Sequence, residues 1–185
     1  MTAPSENTIV ISSIGDCEND LLGPIGREVQ RIFGFPTERV PLLMDVEFAL
    51  DLNRGQYHST HILSRLEELA PSQALKVLAV TDLDLFIPIL THVYGEAQLG
   101  GKTCIISTCR LKEGLSPLSV EQTYPVRVVK EAIHELGHTF KLRHCQDPAC
   151  IMHYCRSVRD VDRKSDQMCR YCKVLFEDEK KRLAK

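Results

Sequence analysis

The chain has 185 residues, a net charge of −2 and 43% hydrophobic residues. That length suits one domain with its own core. The near-neutral charge argues against a nucleic-acid or membrane surface, and no apolar stretch nears the ~20 residues of a spanning helix. Residues 1–7 lack the basic start and apolar core of a signal peptide, so the expectation is a cytoplasmic protein acting as a monomer. Residues 8–11 read as a buried strand. Residues 18–33 read as a helix with Leu21, Leu22, Ile25, Val29 and Ile32 inward. Residues 39–43 form a short strand weakened by Pro41, and residues 59–70 a helix. Residues 75–80 are the candidate central strand, 92–97 an edge strand, and 103–111 a further strand in which Cys104 and Cys109 flank the apolar Ile105-Ile106. Such alternation predicts an α/β domain with a mostly parallel sheet. Asp82 and Asp84 read as turn residues at a strand end rather than a metal pair. Residues 114–123 read as a loop able to cover a cleft. Residues 126–142 read as an amphipathic helix, with Pro125 in its first turn and Val126, Val129, Ile133, Leu136 and Phe140 on its apolar stripe. Residues 177–185 form a charged helix end with Glu177–Lys181 and Asp178–Arg182 at i,i+4 spacing.

The chemistry lies at the end of the 126–142 helix, in the run His134-Glu135-Leu136-Gly137-His138-Thr139-Phe140-Lys141-Leu142-Arg143-His144. His134 and His138 stand one turn apart on one face. Glu135 lies beside the first, and His144 follows just past the helix. Three neutral imidazoles meeting at one point match a zinc site whose fourth position is open to water. A carboxylate beside that position can take a proton from the water and pass it to a leaving amine, which is hydrolase chemistry. The next candidate third ligand, Glu177, falls in a run of solvated charges, so His144 is favoured.

Eight cysteines stand at 17, 104, 109, 145, 150, 155, 169 and 172. Cys145, Cys150, Cys169 and Cys172 form two close pairs, and the last two make a C-x-x-C at a helix start for which Ser165 is the candidate N-cap. Four such thiolates suit a closed structural zinc site; disulfides and inert thiols are the alternatives. Cys155 competes with Cys145 or Cys150 as a ligand, because Cys150 and Cys155 repeat the same spacing. Cys17, Cys104 and Cys109 read as core residues. Since His144 and Cys145 are adjacent, a structural metal would also fix the third histidine.

The histidine run is similar to the metzincin pattern H-E-x-x-H-x-x-G-x-x-H. The longer run through Cys145, Cys150, Met152, Cys169 and Cys172 resembles the archaemetzincin signature. The stretches Thr81-Asp82-Leu83-Asp84-Leu85 and Tyr94-Gly95-Glu96-Ala97 also resemble that family. The resemblance implies two zinc ions. His134, His138 and His144 would bind a catalytic one with Glu135 as general base, and the four cysteines a structural one. Met152 would lie in a turn beneath the first metal, and Tyr154 is a candidate to stabilise the oxyanion. It also implies one antiparallel edge strand along the cleft, with residues 93–97 the candidate, where a peptide adds as a strand. The chain then divides at residue 138 into a sheet-bearing part and a zinc-stapled C-terminal part of one metallopeptidase domain. The competing reading is a zinc-stabilised peptide-binding module with a silent site. Nucleic-acid binding is disfavoured by the Cys/His order. One position departs from the pattern: Lys141 stands where a glycine leaves the helix with positive φ. A lysine there predicts a left-handed, strained residue.

Overall fold

Strands that are apolar at nearly every position must be covered on both faces, and that decides the layering. The computed structural model describes residues 5–15 and 19–183; Cys17 lies outside the described residues. In chain order the elements are β1 (Thr8–Ile14), α1 (Asn19–Phe33), β2 (Thr37–Arg39), a 3-10 turn (Glu47–Ala49), β3 (Leu50–Asp51), β4 (Gln56–His58), α2 (Ser59–Leu69), β5 (Ala74–Thr81), β6 (Leu85–Phe86), β7 (Gly95–Ala97), β8 (Thr103–Ser107), α3 (Pro117–Thr139), α4 (Val158–Arg163) and α5 (Arg170–Leu183). The main sheet runs β2-β1-β5-β8-β7. Its first four strands are parallel and β7 is an antiparallel edge, so the fold is α/β with a mostly parallel sheet, as expected. Alternate residues face opposite layers. Ile9, Ile11, Leu78, Val80, Cys104 and Ile106 pack under α1, α3 and α5. Ile14, Ala79 and Ile105 pack under α2 with Ile62, Leu63 and Leu66.

The helix that carries the histidines is longer than the pattern suggests. It begins at Pro117, capped by Ser116, whose side chain and that of Ser119 satisfy each other's backbone N–H groups. Pro125 therefore sits inside the helix, not at its start, and Val126 is 48% exposed. Because a Pro in mid-helix usually costs about 3 kcal/mol, the sequence argues for a boundary there, but the reciprocal serine cap and a proline at N1 mark the true start. Most of the expected 114–123 loop is thus helix. The second strand stops at Arg39, ahead of Pro41, and the 103–111 strand stops at Ser107, where a turn takes over and leaves Cys109 exposed.

A second sheet of order β3-β4-β6 went unseen, since its strands have only two or three residues. Its anchor is Asp84, gripped by Arg110 through two 2.7 Å bonds and by Gln56 at 2.9 Å. These bonds, Arg110's foremost, hold the Asp84 carboxyl below the usual range. Asp84 is thus structural, as its turn position suggests. At the C-terminus, Ser165 precedes α5 by five residues and does not cap it; its hydroxyl meets Gln167. The tail pairs are Lys181–Asp178 and Arg182–Glu179 at i,i+3 spacing, not those expected. Phe33, Phe140 and Phe176 pack with ring centroids 5.1–5.3 Å apart, joining α1, the end of α3 and α5. Among the described residues no helix is long and apolar enough to cross a membrane.

Candidate metal centre and cleft

The end of α3 makes the site. His134 and His138 project from its last turns, and Phe140 closes the helix. Lys141 then takes φ 64°, the left-handed value expected of it. Leu142 N–H donates to Gly137 O at 3.1 Å, and Lys141 N–H to His138 O at 3.0 Å. This is a Schellman turn with lysine in the glycine position. It reverses the chain so that His144 faces the helix, its ring centroid 5.4 Å from that of His134 and 4.8 Å from that of His138.

The donor set suits a cation. His134 Nδ1 lies 2.8 Å from Ile151 O, and His138 Nδ1 2.7 Å from Leu142 O. A nitrogen against a carbonyl must carry the proton, so each Nε2 is a lone pair. Those two lone pairs face each other at 3.2 Å. Only a cation between them relieves the repulsion. A proton is disfavoured there: burial pushes His134 well below its ordinary value and His138 down to about 4. A tetrahedral zinc with Zn–N of about 2.0–2.1 Å separates its nitrogens by about 3.3 Å, close to the gap observed. One ligating atom from each of His134, His138 and His144 lies within 4.8 Å of the others.

The same holds for the sulfurs of Cys145, Cys150, Cys169 and Cys172. Cys145 and Cys169 are 3.7 Å apart, against about 3.8 Å across a tetrahedral zinc with 2.3 Å bonds. Cys155 is not in this group; its thiol meets His153 O. Residues 150–153 link the two clusters. Cys150 Sγ accepts from Cys169 N, Ile151 O accepts from His134, and His153 Nδ1 donates to Cys145 O. Met152 is fully buried against Gly137, where an added Cβ would lie 2.4 Å from its sulfur.

A cavity of about 810 Å³ opens over the three imidazoles, walled by β7, Ile87, Leu90 and Leu99 and by residues 143–144 and 154–156. Tyr154 lies on its rim, its ring 4.9 Å from that of His144. Glu135 is buried beneath β7. An added Cβ on Gly95 would fall 2.5 Å from Glu135 Cγ and 2.8 Å from Ile105 O, so only glycine admits this approach. Burial first, then the neighbouring Glu131, raises the Glu135 carboxyl well above the usual range. Glu131 is itself paired with Lys164 at 2.8 Å, both fully enclosed. Burial depresses the Lys164 ammonium, but Glu131 and Cys155 outweigh it and the net shift is upward. The packing of Gly95 against Glu135 escaped sequence reasoning, as did Glu131 and Lys164, and Arg143 and Arg156, which line the cavity. Only Glu131 carried a signal, lying four residues before Glu135 on the same helix face.

Residues 8–178 match the family model described as Peptidase family M54. A protein called archaemetzincin from Methanocaldococcus jannaschii is 35% identical over 173 residues, covering 92% of this chain and 93% of that one. The crystal structure of the Methanopyrus kandleri archaemetzincin superposes with a TM-score of 0.82 at 32% identity, over 95% of this chain and 96% of the other. That of the Archaeoglobus fulgidus archaemetzincin, complexed with malonate, gives 0.78 at 31% identity, over 91% and 99%.

Proposed function

The chain belongs to peptidase family M54, the archaemetzincins, and is a zinc metallopeptidase; on that premise we propose that it hydrolyses peptide bonds in the cavity above His134, His138 and His144, with Glu135 as the proton carrier. The observation that carries this reading is the pair of opposed Nε2 lone pairs beside a buried carboxyl. His134, His138 and His144 hold the catalytic zinc, and Cys145, Cys150, Cys169 and Cys172 hold a second, structural one. A zinc ion among three neutral imidazoles supplies the Lewis acidity that polarises a carbonyl and acidifies water.

The protein's own groups do the rest. Ile151 O and Leu142 O fix the Nδ1–H tautomers of His134 and His138 and aim both Nε2 atoms. The free edge of β7 offers backbone groups to an extended peptide, which aligns the scissile carbonyl over the imidazoles. A Glu135 carboxylate oxygen takes a proton from the attacking water and delivers it to the departing amine. Burial raises its proton affinity and the Lys164 ammonium offsets this only in part, so the carboxylate holds a proton more readily than an exposed one. The Lys164–Glu131 pair keeps a second bare carboxylate from forming next to it. The Tyr154 hydroxyl on the rim is the candidate donor to the oxyanion, and Arg143 and Arg156 offer guanidinium groups to substrate carboxylates.

The test combines elemental analysis with peptide cleavage. Wild type should carry two zinc ions and cleave peptides; His134→Ala should carry one and cleave none. A wild type that holds both ions yet cleaves no peptide of any length would instead be a binding module. Gly95→Ala probes the positioning of Glu135. The new methyl group meets the Ile105 carbonyl, which cannot yield, and the Glu135 stem. An ångström of displacement can cost about 10²-fold in rate. The expected result is a kcat lowered by about that factor with zinc content intact, read by steady-state kinetics.

A further inference from the structure

Lys141 has more to explain than its backbone. A left-handed lysine in a position made for glycine is disfavoured unless something holds it. Its ammonium lies 2.7 Å from Glu179 Oε1 on α5, and Glu179 is almost enclosed while the lysine head is half exposed. Of the other cations near Glu179, Arg182 is more distant at 3.5 Å and largely in solvent, and the Lys76 ammonium is engaged by the carbonyls of Gly101 and Thr139. The lysine stem runs along Gly100, where an added Cβ would lie 2.9 Å from Lys141 Cγ, and Gly100 N–H donates to His138 O at 2.9 Å.

The buried face of α5 explains the arrangement. It consists of Cys172, Phe176 and Glu179, at helical spacings of four and three. Each meets one member of the 140–145 turn that carries His144. Cys172 shares the sulfur cluster with Cys145, Phe176 packs on Phe140 at 5.3 Å, and Glu179 pairs with Lys141. One helix face thus grips the 140–145 turn at both ends and once between.

We propose that Lys141 and Glu179 are positioning residues for His144: the ion pair to α5 holds the left-handed turn that a glycine would adopt freely, and so presents the third imidazole to the metal. This rests on the reading of His144 as a zinc ligand. The proposal makes a non-monotonic prediction. Without the anchor, a side-chain-bearing residue 141 relaxes from positive φ and carries His144 away; zinc must then restore the turn. Glycine needs no anchor.

The test measures zinc affinity of the three-histidine site by chelator competition, in protein whose cysteine site stays loaded as shown by elemental analysis. Lys141→Arg should match wild type. Lys141→Met, which keeps the stem but loses the charge, should bind zinc about 5- to 30-fold more weakly, the factor matching left-handed strain. Lys141→Gly, although it removes the whole side chain, should return to within about threefold of wild type. Glu179→Gln should resemble Lys141→Met, and adding Lys141→Gly to it should rescue. A role in general stability alone would move the thermal melting temperature across the series and leave zinc affinity unchanged. Lys141→Met binding as wild type, or glycine failing to rescue, overturns the proposal. His144→Ala separates the two levels: if that variant binds zinc as tightly as wild type, the ligand reading itself is wrong.

Discussion

Replacing Glu135 with alanine should stop peptide hydrolysis while the protein keeps its full zinc content. A positioned general base contributes roughly 10²–10⁴-fold, so kcat/KM should fall by about that factor. Zinc should stay because the proposed ligating atoms belong to the cluster of His134, His138 and His144, and Glu135 is not part of that cluster. The loss should appear in kcat more than in KM, since β7, not Glu135, supplies the proposed peptide contacts. Glu135→Asp gives the control. It keeps the charge but draws the carboxylate back toward the helix, and its rate should lie between wild type and alanine. Steady-state kinetics beside elemental analysis decides the matter. A Glu135→Ala protein that cleaves peptides at the normal rate removes Glu135 from the mechanism.

Cys172→Ser should cost both metals, whereas His134→Ala should cost one. Cys172 is buried in the first turn of α5, and its thiol completes the sulfur cluster. A structural zinc of this type carries an apparent ~10–16 kcal/mol, as much as the whole stability of an ordinary domain, about 5–15 kcal/mol. The damage should spread through residues 150–153, because Ile151 O orients His134 and His153 binds the Cys145 carbonyl. His144 is joined directly to Cys145 and should lose its fixed place as well. Cys155 offers no substitute, since its thiol is engaged with His153 O outside the cluster. Elemental analysis with a thermal melt should therefore show near-zero zinc and a broad, lowered transition. A Cys172→Ser protein that retains one tight zinc and full hydrolysis would show the two sites to be independent.

The residues of the site and the residues that support it were not equally legible. His134 and His138 could be read as a pair because the α-helix repeats every 3.6 residues and needs no other information. Strands β1 and β5 were equally plain, from the apolar runs Ile9-Val10-Ile11 and Val77-Leu78-Ala79-Val80. The start of α3 was legible too, in Ser116-Pro117 and Ser119, but Pro125 pointed the other way. Mid-helix proline is unfavourable in isolation, and here the surrounding α3 packing prevails. The short strands β3, β4 and β6 have no periodicity to read, and Arg110, which pins them to Asp84, comes from a turn 26 residues on.

Sequence alone determined the helix that aligns two imidazoles, the third histidine beyond its end, the C-terminal run of thiols from which a cluster is drawn and the parallel sheet beneath them. All of these follow from backbone periods, caps and ligand spacing that act over a few neighbouring residues. Tertiary structure decided the rest. It set Gly95 against Glu135, enclosed Lys164 with Glu131 across 33 residues, and brought Glu179 to Lys141. Such contacts depend on how whole elements pack, and no local pattern encodes which distant side chain will fill a buried space or neutralise a buried charge.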